Sequence, residues 1–350
     1  MTRYYTRVCN FYYGKESKKL LIKKKTLPLN GLQEISFDQI EIISRKSKKK
    51  IFIKDVKKLS KSLRKQIIFD LKKITLKNEN FSNLNFQKLP NIMGVLNLTP
   101  DSFSDGGKFN KTSKGIKHAF EMIRDGANLI DVGGESTRPG SKTVNPKNEW
   151  KRIYRILRSV CKKVPVSLDT RKSEIMEEGI KLGVKIINDV SGLNYDKKTL
   201  DILKQYKIPF VIQHSKGTPE NMQIKPTYKN ELLDIYDFFE NKIKTLRSIG
   251  IEHNNIIIDP GIGFGKNLKH NMNLISKISI FHSLGFPILV GNSRKRFIKE
   301  IAKKNDSKSR IGGTVASSIY LMMQGVQILR IHDVNELIQG IKIFKELLKN

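Results

Sequence analysis

The chain has 350 residues, of which 38% are hydrophobic, enough to bury a substantial core. It has only two cysteines, Cys9 and Cys161, which excludes a disulfide framework and a zinc–thiolate cluster. No apolar run approaches the roughly 18 residues that span a bilayer, and the amino terminus lacks the apolar core of a secretory signal. We therefore expect a cytoplasmic protein without a membrane partner.

The formal charge of +33 comes from 66 basic and 33 acidic residues. Such an excess is typical of proteins that bind nucleic acid or another anionic surface. A drift towards Lys, Ile and Asn across a whole proteome would place the same lysines on ordinary solvent-facing helices. We favour this second explanation and do not expect a nucleic-acid partner. Under either explanation the positive field attracts anionic substrates.

Residues 1–90 are the most basic part of the chain, with 23 basic and 7 acidic residues. Short apolar runs at residues 27–29, 35–37 and 40–43 predict two or three strands, and apolar residues at helical spacing predict a helix within residues 54–74. Residues 77–90, which are rich in Asn and Ser, are expected to be a linker. We interpret residues 1–90 as a small basic accessory segment with no assigned role.

From residue 92 onward, short apolar runs alternate with amphipathic helices. Each run predicts a strand of a parallel sheet that is covered on its outside. The strands are predicted at residues 92–98, 128–132, 165–168, 185–188, 209–213, 255–258, 287–290 and 327–331. The helices are predicted at residues 113–124, 146–161, 173–181, 231–248, 271–283 and 335–348. Eight such units in residues 91–350 favour an α/β fold with a closed (β/α)8 TIM barrel over an open, doubly wound sheet.

Polar side chains follow these strands at their carboxyl ends, where the loops of a barrel assemble an active site. Asn97 interrupts an otherwise apolar run, and a buried amide needs a partner or a ligand. Taken singly, Asp169 could cap a helix and Asn188 could belong to a turn. The remaining residues at strand ends are Glu135, Thr137, Arg138, Asp189, His214, Asp259, Ser293, Arg294, Lys295, Arg330 and His332.

Together these residues suit a ligand with a flat ring at one end and an anion at the other. Arg138, Arg330 and His332 can donate hydrogen bonds to a phosphate or pyrophosphate. Asn97, with Asp101 and Asp105, offers hard oxygen ligands for Mg²⁺. The side-chain oxygens of Asp169, Asn188 and Asp259 can accept hydrogen bonds from the N–H donors of a pterin or a guanine. Lys295 can donate a hydrogen bond to the same ring.

The glycine-bearing loop GIGFGK, at residues 261–266, fails the spacing of a nucleotide-binding loop. Pro260 stands where the first glycine is required, and Asn267 follows the lysine in place of Ser or Thr. We therefore do not expect a nucleotide to bind there.

Seven stretches of the chain closely resemble the successive motifs of the dihydropteroate synthase family. In chain order they read MGVLNLTPDSFSDGG, DVGGESTRPG, VSLDTRK, INDVSG, DPGIGFGKN, VGNSRKRF and RIHDV, and they cover about residues 91–349. The resemblance implies a TIM-barrel transferase of folate biosynthesis and a target of sulfonamides. It implies condensation of hydroxymethyl-dihydropterin pyrophosphate with para-aminobenzoate, by a Mg²⁺-assisted dissociative route. A homodimer is usual in this family.

The resemblance also implies roles for individual residues. Asp169, Asn188, Asp259 and Lys295 would hold the pterin, and Asp169, Asp259, Lys295 and Asn97 would carry the chemistry, with Asn97 on the metal. Thr137, Arg138, Arg330 and His332 would hold the pyrophosphate. Pro139 and Phe264 would line the aminobenzoate site. Arg296 departs from the family, many of whose members carry a serine there, and an arginine could bind the aminobenzoate carboxylate.

Two other functions compete with this one. A pterin-binding methyltransferase domain shares the barrel and the ring site but should lack the TPDSFSDGG, ESTRPG and SRKRF loops, all of which are present. A non-catalytic basic protein could use the barrel as a scaffold for nucleic acid. The retained ring and anion groups oppose this, and only steeply salt-dependent RNA binding by residues 1–90 alone would support it.

Overall fold

The fold is taken from a computed structural model that describes residues 2–81, 84–99, 108–136, 140–217, 222, 224 and 226–349, with the backbone alone at residues 108–111. Within these residues the chain forms an amino-terminal sheet and an eight-stranded parallel barrel. No described helix has both the length and the apolar composition that crossing a membrane requires.

The barrel strands follow one another in chain order around a closed sheet. They are β5 (Asn91–Asn97), β6 (Leu129–Gly133), β7 (Val166–Asp169), β8 (Ile186–Asp189), β9 (Phe210–Gln213), β10 (Ile256–Asp259), β11 (Leu289–Val290) and β12 (Ile328–Ile331). The ring closes where the Ile258 N–H donates to the carbonyl of Pro287 over 3.0 Å, beside a parallel bridge between Ile258 and Ile288. The predicted TIM barrel is confirmed, and each strand lies within a few residues of its predicted position.

Helices cover the outside of the barrel. They are α3 (Lys108–Arg124), α4 (Pro146–Val160), α5 (Ser173–Lys181), α6 (Thr199–Tyr206), α7 (Glu231–Ser248), α8 (Leu268–Ser276), α9 (Arg296–Ala302), α10 (Ile311–Met323) and α11 (Val334–Leu347). The single helix predicted at residues 271–283 is wrong, because α8 ends at Ser276 and a 3-10 segment, Ile278–Leu284, follows it. All seven residues of that segment are buried, which places it between the barrel and the amino-terminal sheet.

The amino-terminal segment forms an antiparallel sheet backed by a helix. Its elements are β1 (Tyr5–Tyr13), α1 (Gly14–Ile22), β2 (Leu27–Pro28), β3 (Ile35–Ile43), β4 (Lys48–Phe52) and α2 (Lys61–Thr75). Of the two or three strands predicted from the runs at residues 27–29, 35–37 and 40–43, the structure has two, because the last two runs form the single strand β3, which runs unbroken beside β1. Asp38, in the apparent gap, accepts hydrogen bonds from Asn10 and Tyr12 on the neighbouring strand. The predicted helix starts later than expected, at Lys61, after a 3-10 turn at Ile53–Lys58.

The amino-terminal sheet packs directly on the barrel. Tyr5 on β1 lies in the hydrophobic core between the barrel and its helices, and its hydroxyl donates to Asp237 on α7 over 2.8 Å. The Ser279 hydroxyl donates to the carbonyl of Val8, also over 2.8 Å. Polar and apolar contacts therefore both join the accessory segment to the barrel.

Residues 77–90 do more than connect the two parts. Leu84 and Phe86 are each 1% exposed and pack against apolar side chains that point into the barrel. The strand residues of this layer are Met93, Leu129, Ile186, Val211, Ile257, Leu289 and Ile328. The stretch expected to be a linker thus closes the amino-terminal end of the barrel.

Candidate active site

A polar layer lies directly above the apolar one inside the barrel. Side chains on one face of a strand recur at every second residue, so the inward neighbours of the apolar residues lie two positions further on. The neighbours of Leu129, Ile186, Val211, Ile257 and Ile328 are Asp131, Asn188, Gln213, Asp259 and Arg330. Alternation along the strands therefore builds an apolar base with polar groups above it.

Arg330 is the centre of this layer. Its Nε donates to Asp131 Oδ2 over 2.6 Å, and its Nη2 donates to Asp169 Oδ2 over 2.7 Å. The Asn188 amide donates to the same oxygen of Asp131 over 3.0 Å. Asp131 was missed by the sequence analysis, although its place two residues after Leu129 marks it as an inward-facing carboxylate.

Two oxygens in this cluster have no partner among the described residues. They are Asp131 Oδ1 and Asn188 Oδ1, and both are buried. Buried acceptors in folded proteins are nearly always hydrogen-bonded. These two neighbouring oxygens without partners therefore suit a ligand that carries N–H donors.

Burial perturbs the carboxylates of the site. It raises the pKa of Asp169, and Arg330 opposes that rise while the Asp131 charge adds to it. Burial also raises the pKa of Asp259 to about 6, although the Gly261 N–H, which donates over 2.7 Å, favours the charged form. Carboxylates with raised pKa values inside a pocket are typical of functional sites.

Lys295 and Phe264 meet at the open end of the barrel. The Lys295 ammonium lies 4.1 Å from the centroid of the Phe264 ring, within the range of a cation–π contact. Burial and the charge of Arg330 together lower the pKa of Lys295 to about 8, although the charge of Asp259 opposes the shift. Gly263 makes this approach possible, because its φ is +85° and a Cβ there would come within 3.2 Å of Lys295 Cδ.

His332 and Asp333 tie the loop after β12 to the loop after β11. The Ser293 hydroxyl oxygen accepts a hydrogen bond from the His332 N–H over 3.2 Å and lies 3.0 Å from His332 Nδ1. The Arg294 Nε donates to Asp333 over 2.9 Å. Ser293 therefore fixes the position of His332, two residues after Arg330, whereas Arg294 is engaged in holding the two loops together.

A buried ionic cluster holds the loop after β6. Glu135 accepts hydrogen bonds from Arg171 over 2.9 Å, from Lys172 over 3.0 Å and from the Val144 N–H over 2.7 Å. Lys172 also pairs with Glu149, which is fully buried. These contacts join residues on either side of residues 137–139, so they fix the base of the loop that carries three of the predicted site residues.

Several predicted residues lie outside the described part of the chain. These are Thr137, Arg138, Pro139, Asp101 and Asp105. Their predicted roles are not tested by the fold.

Asn97, predicted to bind the metal, ends β5 and is half-buried. Its side chain makes no hydrogen bond to any described residue, so its amide oxygen is available to a ligand. Among the described residues no group of three or more His, Cys, Asp or Glu side chains could hold a metal ion by itself. Mg²⁺ keeps several waters and commonly uses one or two protein oxygens together with substrate phosphates, so Asn97 fits such an ion.

Arg296 and Lys266 have different surroundings from Lys295. Arg296 begins α9, its side chain is 67% exposed, and it pairs with Glu300 over 2.5 Å. It lines a cavity of about 290 Å³ together with Gly263 and Lys266. Lys266 is 2% exposed and donates to the Phe264 carbonyl over 2.8 Å. Lys266 thus holds the loop of residues 261–266 from within.

Comparison with known proteins places this arrangement among enzymes of folate synthesis. The family model described as "Pterin binding enzyme" matches residues 93–332. The dihydropteroate synthase of Escherichia coli is 38% identical over 261 residues, which are 74% of this chain and 92% of that protein.

Two solved structures extend the comparison. The dihydropteroate synthase of Yersinia pestis in a sulfonamide drug complex matches with a TM-score of 0.73 and 36% identity, over 78% of this chain and 100% of the other. The enzyme of Xanthomonas albilineans with 4-aminobenzoic acid matches with a TM-score of 0.72 and 31% identity, over 77% and 98%.

Proposed function

The chain belongs to the dihydropteroate synthase family, and on that basis we propose that it condenses hydroxymethyl-dihydropterin pyrophosphate with para-aminobenzoate. The observation that carries the proposal is the polar layer in which Arg330 joins Asp131 to Asp169, next to Asn188. A relative of known structure binds 4-aminobenzoic acid, the second substrate in this proposal.

The pterin ring fits the unpaired acceptors of the layer. The amino group and ring N–H groups of a pterin are donors, and Asp131 Oδ1 and Asn188 Oδ1 are acceptors that lack partners among the described residues. Lys295 supplies a donor for the ring carbonyl or a ring nitrogen. Such matched donors and acceptors would orient the exocyclic methylene towards the open end of the barrel.

The pyrophosphate would lie at the open end. In Arg330, the Nε and Nη2 atoms are bound to carboxylates, so Nη1 is the nitrogen left to donate to a phosphate oxygen. His332 lies two residues further along the chain, and Thr137 and Arg138 would complete this anion site. Mg²⁺, when bound at Asn97, would neutralise charge on the leaving group.

The chemistry requires the methylene carbon to exchange an oxygen substituent for a nitrogen one. The carbon–oxygen bond to pyrophosphate breaks first, and positive charge develops on the methylene and the ring. Asp169 and Asp259 are buried carboxylates that are held in place before the reaction, so they would stabilise that charge without reorganising. The aminobenzoate nitrogen then forms the new bond and loses a proton; an arylamine is already neutral at pH 7, so no general base is assigned.

The aminobenzoate site would form beside Phe264 and Lys295, with Pro139 from the loop after β6. Arg296 would meet the carboxylate if it released Glu300. Because bound pyrophosphate and closure of the loops after β5 and β6 would complete this pocket, we expect an ordered reaction in which the pterin substrate binds first. A homodimer in the cytoplasm stays our expectation for the working enzyme.

Titration calorimetry tests this proposal. Pterin pyrophosphate should bind to the free protein in the presence of Mg²⁺, and Asn97→Ala should weaken that binding more with Mg²⁺ present than without it. Para-aminobenzoate should bind only after pterin and pyrophosphate are present. Tight aminobenzoate binding to the free protein would contradict the order, and no binding of the pterin substrate would contradict the function.

A further inference from the structure

A cavity of about 690 Å³ lies between the amino-terminal segment and the barrel, far from the polar layer. Its wall comes from the start of α1, residues 32–35, residues 87–89 and the last turns of α10 and α11. Residues 87–89 precede β5, so the cavity is at the end of the barrel opposite the candidate active site. Most of its wall lies outside the part of the chain that matches the family model.

The wall of the cavity is largely apolar. Leu32, Ile35, Leu89 and Met322 are buried, and Phe344 and Leu348 are half-buried. Met323 lies next to Met322, and unbranched methionine side chains adapt to apolar ligands of different shape. The volume is within the range of sites that enclose small organic molecules, about 300–1,000 Å³.

The rim of the cavity is cationic. It carries five lysines and one glutamate: Lys15, Lys18, Lys88, Lys345, Lys349 and Glu34. Glu34 is paired with Lys18, and the Lys345 ammonium donates to the Leu89 carbonyl over 2.7 Å. Neither Lys15 nor Lys88 has a carboxylate partner among the described residues. Two ammonium groups at the mouth of an apolar cavity are thus available to an anion.

We propose that this cavity binds an amphiphilic organic anion, with its apolar body against Leu89, Met322 and Leu348 and its acidic head at the lysine rim. A small inorganic anion would leave the apolar wall in water, and a neutral apolar molecule would leave the lysines without a counter-charge. An acyl chain and an aromatic ring that carry a carboxylate share the required chemistry. Either occupant would touch the accessory segment and the barrel at once, and so would stabilise their association.

Calorimetry on the full chain tests the proposal, with dodecanoate and 2-naphthoate as separate probes. At least one probe should bind with one-to-one stoichiometry and more weakly at high salt. Lys15→Gln/Lys88→Gln should weaken it roughly tenfold by removing both unpaired charges. The matched control, Lys48→Gln/Lys49→Gln on exposed β4, makes the same charge change away from the cavity and should bind like the parent.

A second variant tests the cavity rather than its charge. Leu348→Trp should fill the space and abolish binding, while dihydropteroate formation stays unchanged in all these variants. The probe that binds identifies an acyl or an aromatic occupant. The proposal is overturned if neither probe binds below about 1 mM, if the two lysine pairs behave alike, or if Leu348→Trp binds as tightly as the parent.

Discussion

Arg330 on β12 reaches across β5 to Asp131 on β6, and its Nε donates to the carboxylate over 2.6 Å. The same guanidinium holds Asp169 on β7, so three strands present their charges at one height of the barrel. Because these groups are fixed before a substrate arrives, they need not reorganise when charge develops in the transition state.

Asp131→Asn keeps the shape of the side chain and removes one of the two carboxylates that hold Arg330. We expect kcat/KM to fall about 10²-fold, the order seen when one preorganised electrostatic group is lost. The measurement is steady-state dihydropteroate formation, with thermal melting to show that the variant folds. Asp201→Asn, on an exposed part of α6, is the control; equal activity in both variants would show that Asp131 does not support the site.

The rate should depend on pH through groups with opposite requirements. Asp169 and Asp259 must be charged and burial raises the pKa of both, to about 6 for Asp259, so kcat/KM should fall as the pH drops through the pKa values of these two carboxylates. Lys295, whose pKa burial lowers to about 8, must be protonated, so kcat/KM should also fall above that value. Lys295→Arg should retain partial activity and lose the alkaline limb, because an arginine stays charged throughout. An unchanged alkaline limb in that variant would assign it to another group.

Glu135→Gln should loosen the loop after β6. Burial alone would raise the pKa of Glu135, but hydrogen bonds from Arg171, Val144 and Lys172 outweigh it and lower the pKa. The charged form of Glu135 therefore stabilises the folded protein above the ordinary pKa of 4.5, and this stabilisation is lost as the pH falls below 4.5. At pH 7 we expect the free energy of unfolding to drop by about 3 kcal/mol. Urea denaturation measures it, and KM for the pterin substrate should rise because the loop carries Thr137 and Arg138.

The control for Glu135 is Glu121→Gln on α3, a half-buried glutamate whose nearest lysine contact is 3.8 Å long. It should change the unfolding free energy by less than about 0.5 kcal/mol. A Glu135 variant as stable as this control would mean that the buried cluster contributes nothing to the loop.

The barrel outline could be predicted because each strand is a short apolar run that ends in polar residues. Asp131 was not predicted as a site residue because it lies inside such a run, where only the alternation of side chains from Leu129 shows that it points into the barrel. The strand β1 was not predicted because polar residues interrupt its apolar ones. Its polar residues are satisfied by partners far along the chain: Thr6 donates to Asp70 over 2.6 Å, and Arg7 donates to Glu41 over 2.8 Å. Short-range sequence patterns do not show hydrogen bonds between residues that are distant in the chain.

The structure of residues 77–90 was also not predictable from local composition. Their Asn and Ser content is typical of a linker, yet two apolar residues among them close the barrel. Phe86→Ala should therefore lower the free energy of unfolding by about 3–5 kcal/mol, as expected for a large buried side chain. Phe69→Ala, at a site that is 59% exposed, is the control in the same urea experiment. If the two variants were equally stable, the role of Phe86 in the barrel would be contradicted.

The activity to measure first is the formation of dihydropteroate. The purified full chain is incubated with hydroxymethyl-dihydropterin pyrophosphate, para-aminobenzoate and Mg²⁺, and dihydropteroate is measured by mass spectrometry. We predict product that is lost without Mg²⁺ and in Lys295→Ala, and retained in Lys299→Ala on α9, the helix that directly follows Lys295. A folded protein that binds the pterin substrate but forms no dihydropteroate would contradict the account.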